Sequence, residues 1–189
     1  MCIRDSDYAY RFNDALVKNL QYNLPFIIKE LILQSNSEKS QYKNVIDLGC
    51  GTGLAGKDLR HISSNLIGID ISENMVSEAE KLNIYDTLIV GDIVEKLNAF
   101  HDKFDLLIAL DVLIYIGDVQ SIFRAVYNSC KQDSLFIFSV ETQDEGGYSL
   151  LKSSRYAHSD EYIMDQTAGL FKLVNSENVK LRKEGESWI

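Results

Sequence analysis

The stretch Val45-Ile46-Asp47-Leu48-Gly49-Cys50-Gly51-Thr52-Gly53 constrains this chain more than any other. Val45, Ile46 and Leu48 are too few to complete a helical stripe and suit a core strand. Gly49, Gly51 and Gly53 follow at once, and glycines there admit positive φ and let a ligand lie against bare backbone. The apolar residues from Leu54 onward predict a helix directly after the turn. Its amino end would offer unpaired N–H groups, a setting for an anion. Asp47, closing the strand, puts a carboxylate on the same rim. One turn thus presents a place for a negative group beside a place for a positive one.

Gly51-Thr52-Gly53-Leu54-Ala55-Gly56 also satisfies G-x-G-x-x-G, so a dinucleotide is one possible ligand. A pyrophosphate carries two negative charges, however, and Asp47, four residues before Gly51, opposes them. S-adenosylmethionine combines a carboxylate, an ammonium and a sulfonium, and suits the mixed polarity better. A tight strand-to-helix turn that binds nothing is the plainer alternative.

Beyond the turn the chain alternates strand and helix. Leu54, Ala55, Leu59 and Ile62 mark a helix, and Asn65 to Asp70 reads as a second strand ending in an acid. Asp70 lies 21 residues after Gly49, which sets it where a carboxylate can accept ribose hydroxyls. Ser72 supplies the N-cap of the next helix, which leaves Asp70 free for a ligand. Met75, Val76, Ala79 and Leu82 give that helix its buried stripe. Thr87 to Val90 forms a third strand, followed by Gly91-Asp92-Ile93. There Asp92 suits an adenine amino group and Ile93 offers a backbone N–H, although a simple Gly-Asp turn explains the pair equally well. Phe104 to Leu110 is a continuous apolar run, as expected of a central parallel strand. Val119, Ile122, Phe123, Val126, Tyr127 and Cys130 recur at helical spacing, with Asp118 as N-cap. Leu135 to Val140 is a fifth strand. Such alternation predicts an α/β, Rossmann-like, doubly wound, mostly parallel sheet with helices on both faces. Asp47, Asp70, Asp92 and Asp111 all fall at carboxyl ends of strands, where ligands of such sheets bind.

Composition removes several classes. The net charge of −9 over 189 residues argues against a nucleic-acid backbone partner. No apolar run is long enough to span a bilayer. Cys2, Cys50 and Cys130 are far apart and lack metal-ligand spacing, so no metal is expected and a reducing, cytoplasmic setting suits the free thiols. Residues 7–43 read as an N-terminal helical arm. Tyr8, Tyr10 and Phe12 form an aromatic cluster, Leu16 and Leu20 continue its face, and Ile27, Ile28, Leu31 and Ile32 follow Pro25.

Taken together, residues 44–189 resemble the class I S-adenosylmethionine-dependent methyltransferases. Residues 45–53 are similar to that family's first motif almost letter for letter, and Ile69-Asp70-Ile71-Ser72-Glu73-Asn74-Met75 to its second. Gly91-Asp92, Phe104-Asp105-Leu106-Leu107 and Leu110-Asp111-Val112-Leu113 resemble the later ones. The resemblance implies cofactor contacts at Asp47, Gly49, Cys50, Gly51, Asp70, Ile71, Met75, Asp92, Ile93 and Leu110. The flanks, Tyr8-Ala9-Tyr10-Arg11-Phe12 and Arg155-Tyr156-Ala157-His158-Ser159 among them, resemble a bacterial group of small methyltransferases, some with tetratricopeptide repeats upstream. The family sheet has seven strands, the last antiparallel. Here Leu170 to Leu181 supplies a sixth, Gly185 resembles the hairpin turn, and the seventh is expected to be missing or truncated at Ile189. Residues 1–6, Met-Cys-Ile-Arg-Asp-Ser, resemble a translated sequencing adapter, so the chain reads as a fragment cut at both ends.

Glu141 to Asp160 interrupts the alternation and reads as a long loop over the methyl acceptor. Tyr148, Arg155 and Tyr156 are its candidate substrate-binding groups. His158 is the candidate general base, and Tyr115, in the loop after the fourth strand, a second candidate for the acceptor side. The plainer alternative is that His158 and Ser159 precede and cap a helix over Asp160 to Thr167. The expected acceptor is a small molecule. The Asn/Asp-Pro-Pro-aromatic motif of DNA amino-methyltransferases is absent, because Pro25 is the one proline. A nicotinamide-dependent oxidoreductase and a non-catalytic binding module are the competing readings.

Overall fold

A computed structural model describes Ile27, Leu31, Ile32 and residues 41–144, 146–179, 183–184 and 187–188. The adapter-like residues 1–6 and most of the arm over 7–43, with Tyr8, Tyr10, Phe12 and Ile28, lie outside the described residues. Five parallel strands make the main sheet: β1 (Tyr42–Leu48), β2 (Ser63–Asp70), β3 (Thr87–Val90), β4 (Phe104–Ala109) and β5 (Cys130–Phe138). Their order is β3-β2-β1-β4-β5, so the chain reverses direction across the sheet between β1 and β4. The helices between them are α1 (Gly56–Arg60), α2 (Glu73–Glu80), α3 (Ile93–Leu97) and α4 (Gln120–Ser129), with a single 3-10 turn at Leu113–Tyr115.

Side chains alternate across each strand, and both faces of this sheet are covered. Ile46, Leu48, Ile67, Ile69, Leu107 and Ala109 face one way, into a core closed by Phe123 and Val126 of α4. Val45, Leu66, Leu106 and Ile108 face the other way, against Ile32, Tyr42 and Leu59. Ile32 and its neighbour Leu31 thus lie inward, as their spacing implies. Phe123 is fully buried, with its ring 5.1 Å from Phe138 and 5.9 Å from Phe136. Cutting it back to alanine would cost about 3–5 kcal/mol in lost contact and cavity. The same alternation carries Asp47 onto the face of Val45.

Several boundaries differ from those expected. The helix after the glycine turn begins at Gly56, not near Leu54, because residues 51–55 are consumed by the turn. Cys130 continues the apolar spacing of α4 yet leaves the helix in extended conformation and opens β5. That strand pairs with β4 at Phe104–Cys130 and again from Leu106–Leu135, with a bulge between. Asp92 starts a short helix, α3, that the sequence reading passed over.

Glu141 to Asp160 is not a loop. It folds into β6 (Glu141–Gln143), β7 (Tyr148–Leu150) and β8 (Tyr156–Ser159), a three-stranded sheet with β8 in the middle. α5 (Asp160–Thr167) follows, capped by the Ser159 hydroxyl, which accepts the Tyr162 N–H at 3.2 Å. Residues 171–179 carry no regular structure where a sixth strand was expected. β9 (Lys183–Glu184) and β10 (Ser187–Trp188) pair antiparallel with each other around 185–186, the expected hairpin position. Phe136, Phe138, Leu170 and Phe171 line a groove along the outer edge of β5.

Candidate functional site

Strand register decides which residues meet. Leu48 pairs with Ile69, Asp47 with Ile108 and Asp70 with Val90. The carboxyl ends of β1, β2, β3 and β4 therefore share one rim, and Asp47, Asp70, Asp92 and Asp111 stand along it. The reversal between β1 and β4 falls in the middle, the usual place for a crevice.

The glycine turn is held from below. Gly49 and Cys50 donate their N–H groups to the Ile69 carbonyl at 2.7 and 2.9 Å, and Gly53 donates to Cys50 at 2.9 Å. Gly51 donates to the Asp70 carboxylate at 2.9 Å, and Gly56 to the Tyr85 hydroxyl. This corrects the expectation of free amides for an anion. Buried backbone donors must be paired, and here the turn pairs them itself. α1, at five residues, has its first amide engaged as well. Gly51 nevertheless keeps the other expected property. Its φ is +53° and no atom lies where a side chain would project, so bare backbone faces open space. Gly49, at φ +71°, is instead filled by Val112 from the loop after β4.

The acids are more engaged than the sequence implies. Ser72 does cap α2, accepting the Met75 N–H, but its own N–H goes to Asp70 at 2.8 Å. With Gly51 on the other oxygen, Asp70 is not left free by Ser72. Each carboxylate oxygen retains one lone pair for a ligand. Burial pushes its pKa up, while the two N–H donors pull it down. Asp47 is buried and accepts the Tyr85 hydroxyl at 2.7 Å. Burial raises its pKa to about 6, against the pull of Tyr85, and neighbouring Asp70 adds to the rise. Asp92 caps α3 by accepting the Glu95 N–H at 2.9 Å, with its carboxylate at the rim.

Ile71 is 57% exposed beside Asp70, an apolar platform on the rim, and Ile93 is partly buried next to Asp92. Met75 and Leu110 belong to the core: their side chains are buried, Met75 almost completely. Cys50 is buried too, and burial together with the charges of Asp47 and Asp70 keeps its thiol protonated. Its place in the turn follows from packing.

The second cluster lies over the loop after β4. His158 of β8 is fully buried, with Nε2 2.9 Å from the Ile116 carbonyl and 3.1 Å from that of Gly117. Carbonyls only accept, so Nε2 carries the proton and Nδ1 is the bare lone pair. Nδ1 is buried without a partner. Desolvation lowers the pKa, against the two carbonyl contacts, and keeps the ring neutral. Tyr162 stacks on His158 at 5.9 Å and 18°, and Tyr148 lies 5.3 Å from Tyr162 and 6.0 Å from Tyr156. Gly117 fits between Tyr148 and Tyr156, where a Cβ would strike both rings. The Tyr162 hydroxyl donates to Asp118 and accepts the Val119 N–H, both at 3.2 Å, which ties α5 to the start of α4.

Tyr148, Tyr156 and His158 are thus gathered together. Arg155 sits at the turn before β8, where its carbonyl accepts the Leu151 N–H, and Tyr115 lies half-buried in the 3-10 turn near His158's carbonyl partners. Sequence reading missed Tyr85 and Tyr162. No motif marks either. The signal for Tyr85 was a pair of glycines, at 56 and 68, whose backbone geometry does not require glycine.

The family model for a methyltransferase domain matches residues 39–180. The ubiquinone biosynthesis O-methyltransferase of Glaesserella parasuis serovar 5 is 28% identical over 118 residues, covering 58% of this chain and 50% of that protein. The chain spans about half the length of the curated relatives it matches. Among solved structures, the DhpI complex with SAH aligns with a TM-score of 0.64 at 14% identity, over 88% of this chain and 83% of that one. An S-adenosylmethionine-dependent methyltransferase of Clostridium acetobutylicum ATCC 824 aligns with a TM-score of 0.57 at 22% identity, over 73% and 76%. At these identities the structural likeness speaks to the fold.

Proposed function

The chain belongs to the methyltransferase-domain family, and on that premise we propose that it binds S-adenosylmethionine along the carboxyl rim and passes the methyl group to a small-molecule acceptor. The observation that carries this reading is the rim itself. Gly51 offers bare backbone to open space, with Asp70 and Ile71 on one side and Asp92 beyond. These residues suit a nucleoside: a carboxylate for ribose hydroxyls, an apolar platform for the base, and a second acid near its amino group. Asp47, which precedes the turn at the end of β1, is the acid we assign to a cationic group. When bound, S-adenosylmethionine supplies a methyl group already activated by its sulfonium.

The protein's part is to orient the acceptor in line and to exclude water. We assign the acceptor side to Tyr148, Arg155 and Tyr156, together with Tyr115 of the loop after β4. His158 takes the acceptor's proton at Nδ1. Its Nε2 proton is anchored on Ile116 and Gly117, so the ring cannot turn to present the wrong nitrogen. Burial holds it neutral and therefore able to accept. Among the described residues no helix is long and apolar enough to cross a membrane, and we place the reaction in the cytoplasm.

Calorimetric titration tests the reading first. S-adenosylmethionine should bind, and release of S-adenosylhomocysteine over a panel of phenols, amines and thiols should identify the acceptor. Tight NADH binding with no S-adenosylmethionine signal would end it.

A further inference from the structure

Tyr85 lies between α2 and β3, outside every motif, yet the glycine turn is built around it. A Cβ at Gly56 would collide with its hydroxyl, one at Gly68 would press on its ring, and one at Gly53 would meet its edge. Three glycines thus clear a channel beneath the turn, and the phenol fills it. At the channel's end the hydroxyl donates to Asp47 at 2.7 Å and accepts the Gly56 N–H. Its loop is clamped on both sides. Asp86 accepts the Leu66 N–H at 2.7 Å and Arg60 at 2.6 Å, and Arg60 also donates to the Ile84 carbonyl at 3.3 Å. The titratable groups facing Asp47 are Tyr85, Cys50 from the turn and Asp70 from β2, none of them a cation. The ion pairs among the described residues lie elsewhere.

We propose that Tyr85 is a positioning residue of the cofactor turn, whose hydroxyl holds Asp47 ionised and aimed beneath Gly51. This rests on the S-adenosylmethionine reading above. A buried carboxylate without a cation keeps its charge only while a donor stabilises it. Tyr85 is that donor, and because its oxygen also accepts from Gly56, the same group fixes where α1 begins.

The test compares Tyr85→Phe, which keeps the ring in its channel, with the unchanged chain. At pH 7 the variant should bind S-adenosylmethionine about tenfold more weakly, the usual loss for one hydrogen bond to a charged group. That ratio should shrink as the pH rises from 6.5 to 8.5, because Asp47 regains its charge unaided at high pH. A ratio of one throughout, or a deficit constant with pH, overturns the proposal, since lost packing would not follow Asp47's titration. A second measurement needs no cofactor. The gap between the melting temperatures of the two ligand-free proteins should be smaller at pH 5, where Asp47 is largely protonated and only the Gly56 contact and a neutral hydrogen bond are lost, and wider at pH 8. A gap equal at both values also overturns it. Failure of the unchanged chain to bind S-adenosylmethionine would sink the functional reading, and the melting comparison would still decide the role of Tyr85.

Discussion

The glycine rim and the aromatic cluster handle their polar groups in opposite ways. Around the turn, the hydrogen-bonding groups of Gly49, Gly51, Gly53, Gly56 and Asp70 find partners within a few residues of the rim. Over the loop after β4, His158 is satisfied at one nitrogen and orphaned at the other, inside a wall of tyrosine rings. Pairing makes the first region a rigid mould. An unpaired buried acceptor costs roughly 1–3 kcal/mol, and that cost leaves the second region with something to gain from a ligand donor. On the function proposed above, the contrast is a division of labour, with the cofactor held in a fixed seat and the acceptor met by the His158 lone pair.

The sharpest way to break this contrast is His158→Gln. Glutamine retains an N–H for Ile116 and Gly117 but lacks a basic nitrogen. Turnover should fall by about 100-fold or more, as when a general base is lost, while S-adenosylmethionine affinity stays unchanged. Steady-state kinetics beside calorimetry would check it. Equal turnover would leave His158 as a strut between β8 and the loop after β4.

Acid titration offers a second comparison, because the two regions carry shifts of opposite sense. Asp47 in the fold lies above its ordinary 3.8, at about 6. Its contribution to stability is full below pH 3.8 and is lost as pH rises through 6, by up to about 3 kcal/mol. His158 lies below its ordinary 6.5, so its contribution is full above that value and is lost as pH falls. Asp47→Asn, which still accepts from Tyr85, should therefore stabilise the ligand-free protein at pH 8 and weaken cofactor binding. Denaturant titrations at pH 5 and pH 8 read the first effect. No gain at pH 8 would mean that Asp47 is not charged in the fold.

Much of the rim was legible because its signals are local. The first four strands of the main sheet each carry an apolar run with a Gly or Asp at or just beyond its end, and those strand ends place Asp47, Asp70 and Asp92 without knowledge of the fold. Cys130 misled because apolar spacing continues one step past the end of α4, and spacing does not reveal where a backbone turns extended. The sheet β6–β8 escaped notice because its strands are only three or four residues long and interrupted by Gly146 and Gly147. Tyr85 and Tyr162 act through hydroxyls that meet partners 38 and 44 residues away, a relation that no window along the chain contains.

Asp70→Ala separates the two roles that Asp70 combines on the rim. It removes the proposed ribose acceptor and leaves the Gly51 and Ser72 amides without theirs. Cofactor binding should weaken by about 1–3 kcal/mol. Asp70→Asn, whose carbonyl oxygen still accepts one of the two amides, should recover part of the loss. Calorimetry on the pair decides the matter: equal affinity in all three proteins would remove Asp70 from the site.

The smallest effects come from the two serine caps, and they test whether the regions are independent. Ser72 caps α2 beside the rim, and Ser159 caps α5 beneath the aromatic cluster, each through its hydroxyl on the N–H three residues on. Loss of either cap to alanine should cost about 1 kcal/mol, a few degrees in melting temperature for a chain of this size. The two should diverge in function. Ser72→Ala loosens the start of α2 next to Asp70 and should raise the dissociation constant for S-adenosylmethionine. Ser159→Ala loosens Tyr162, and with it the stack on His158, and should act on the acceptor's KM. Were both variants to shift the same constant, the rim and the cluster would have to move as one body, and the self-paired seat could not be independent of the unpaired lid.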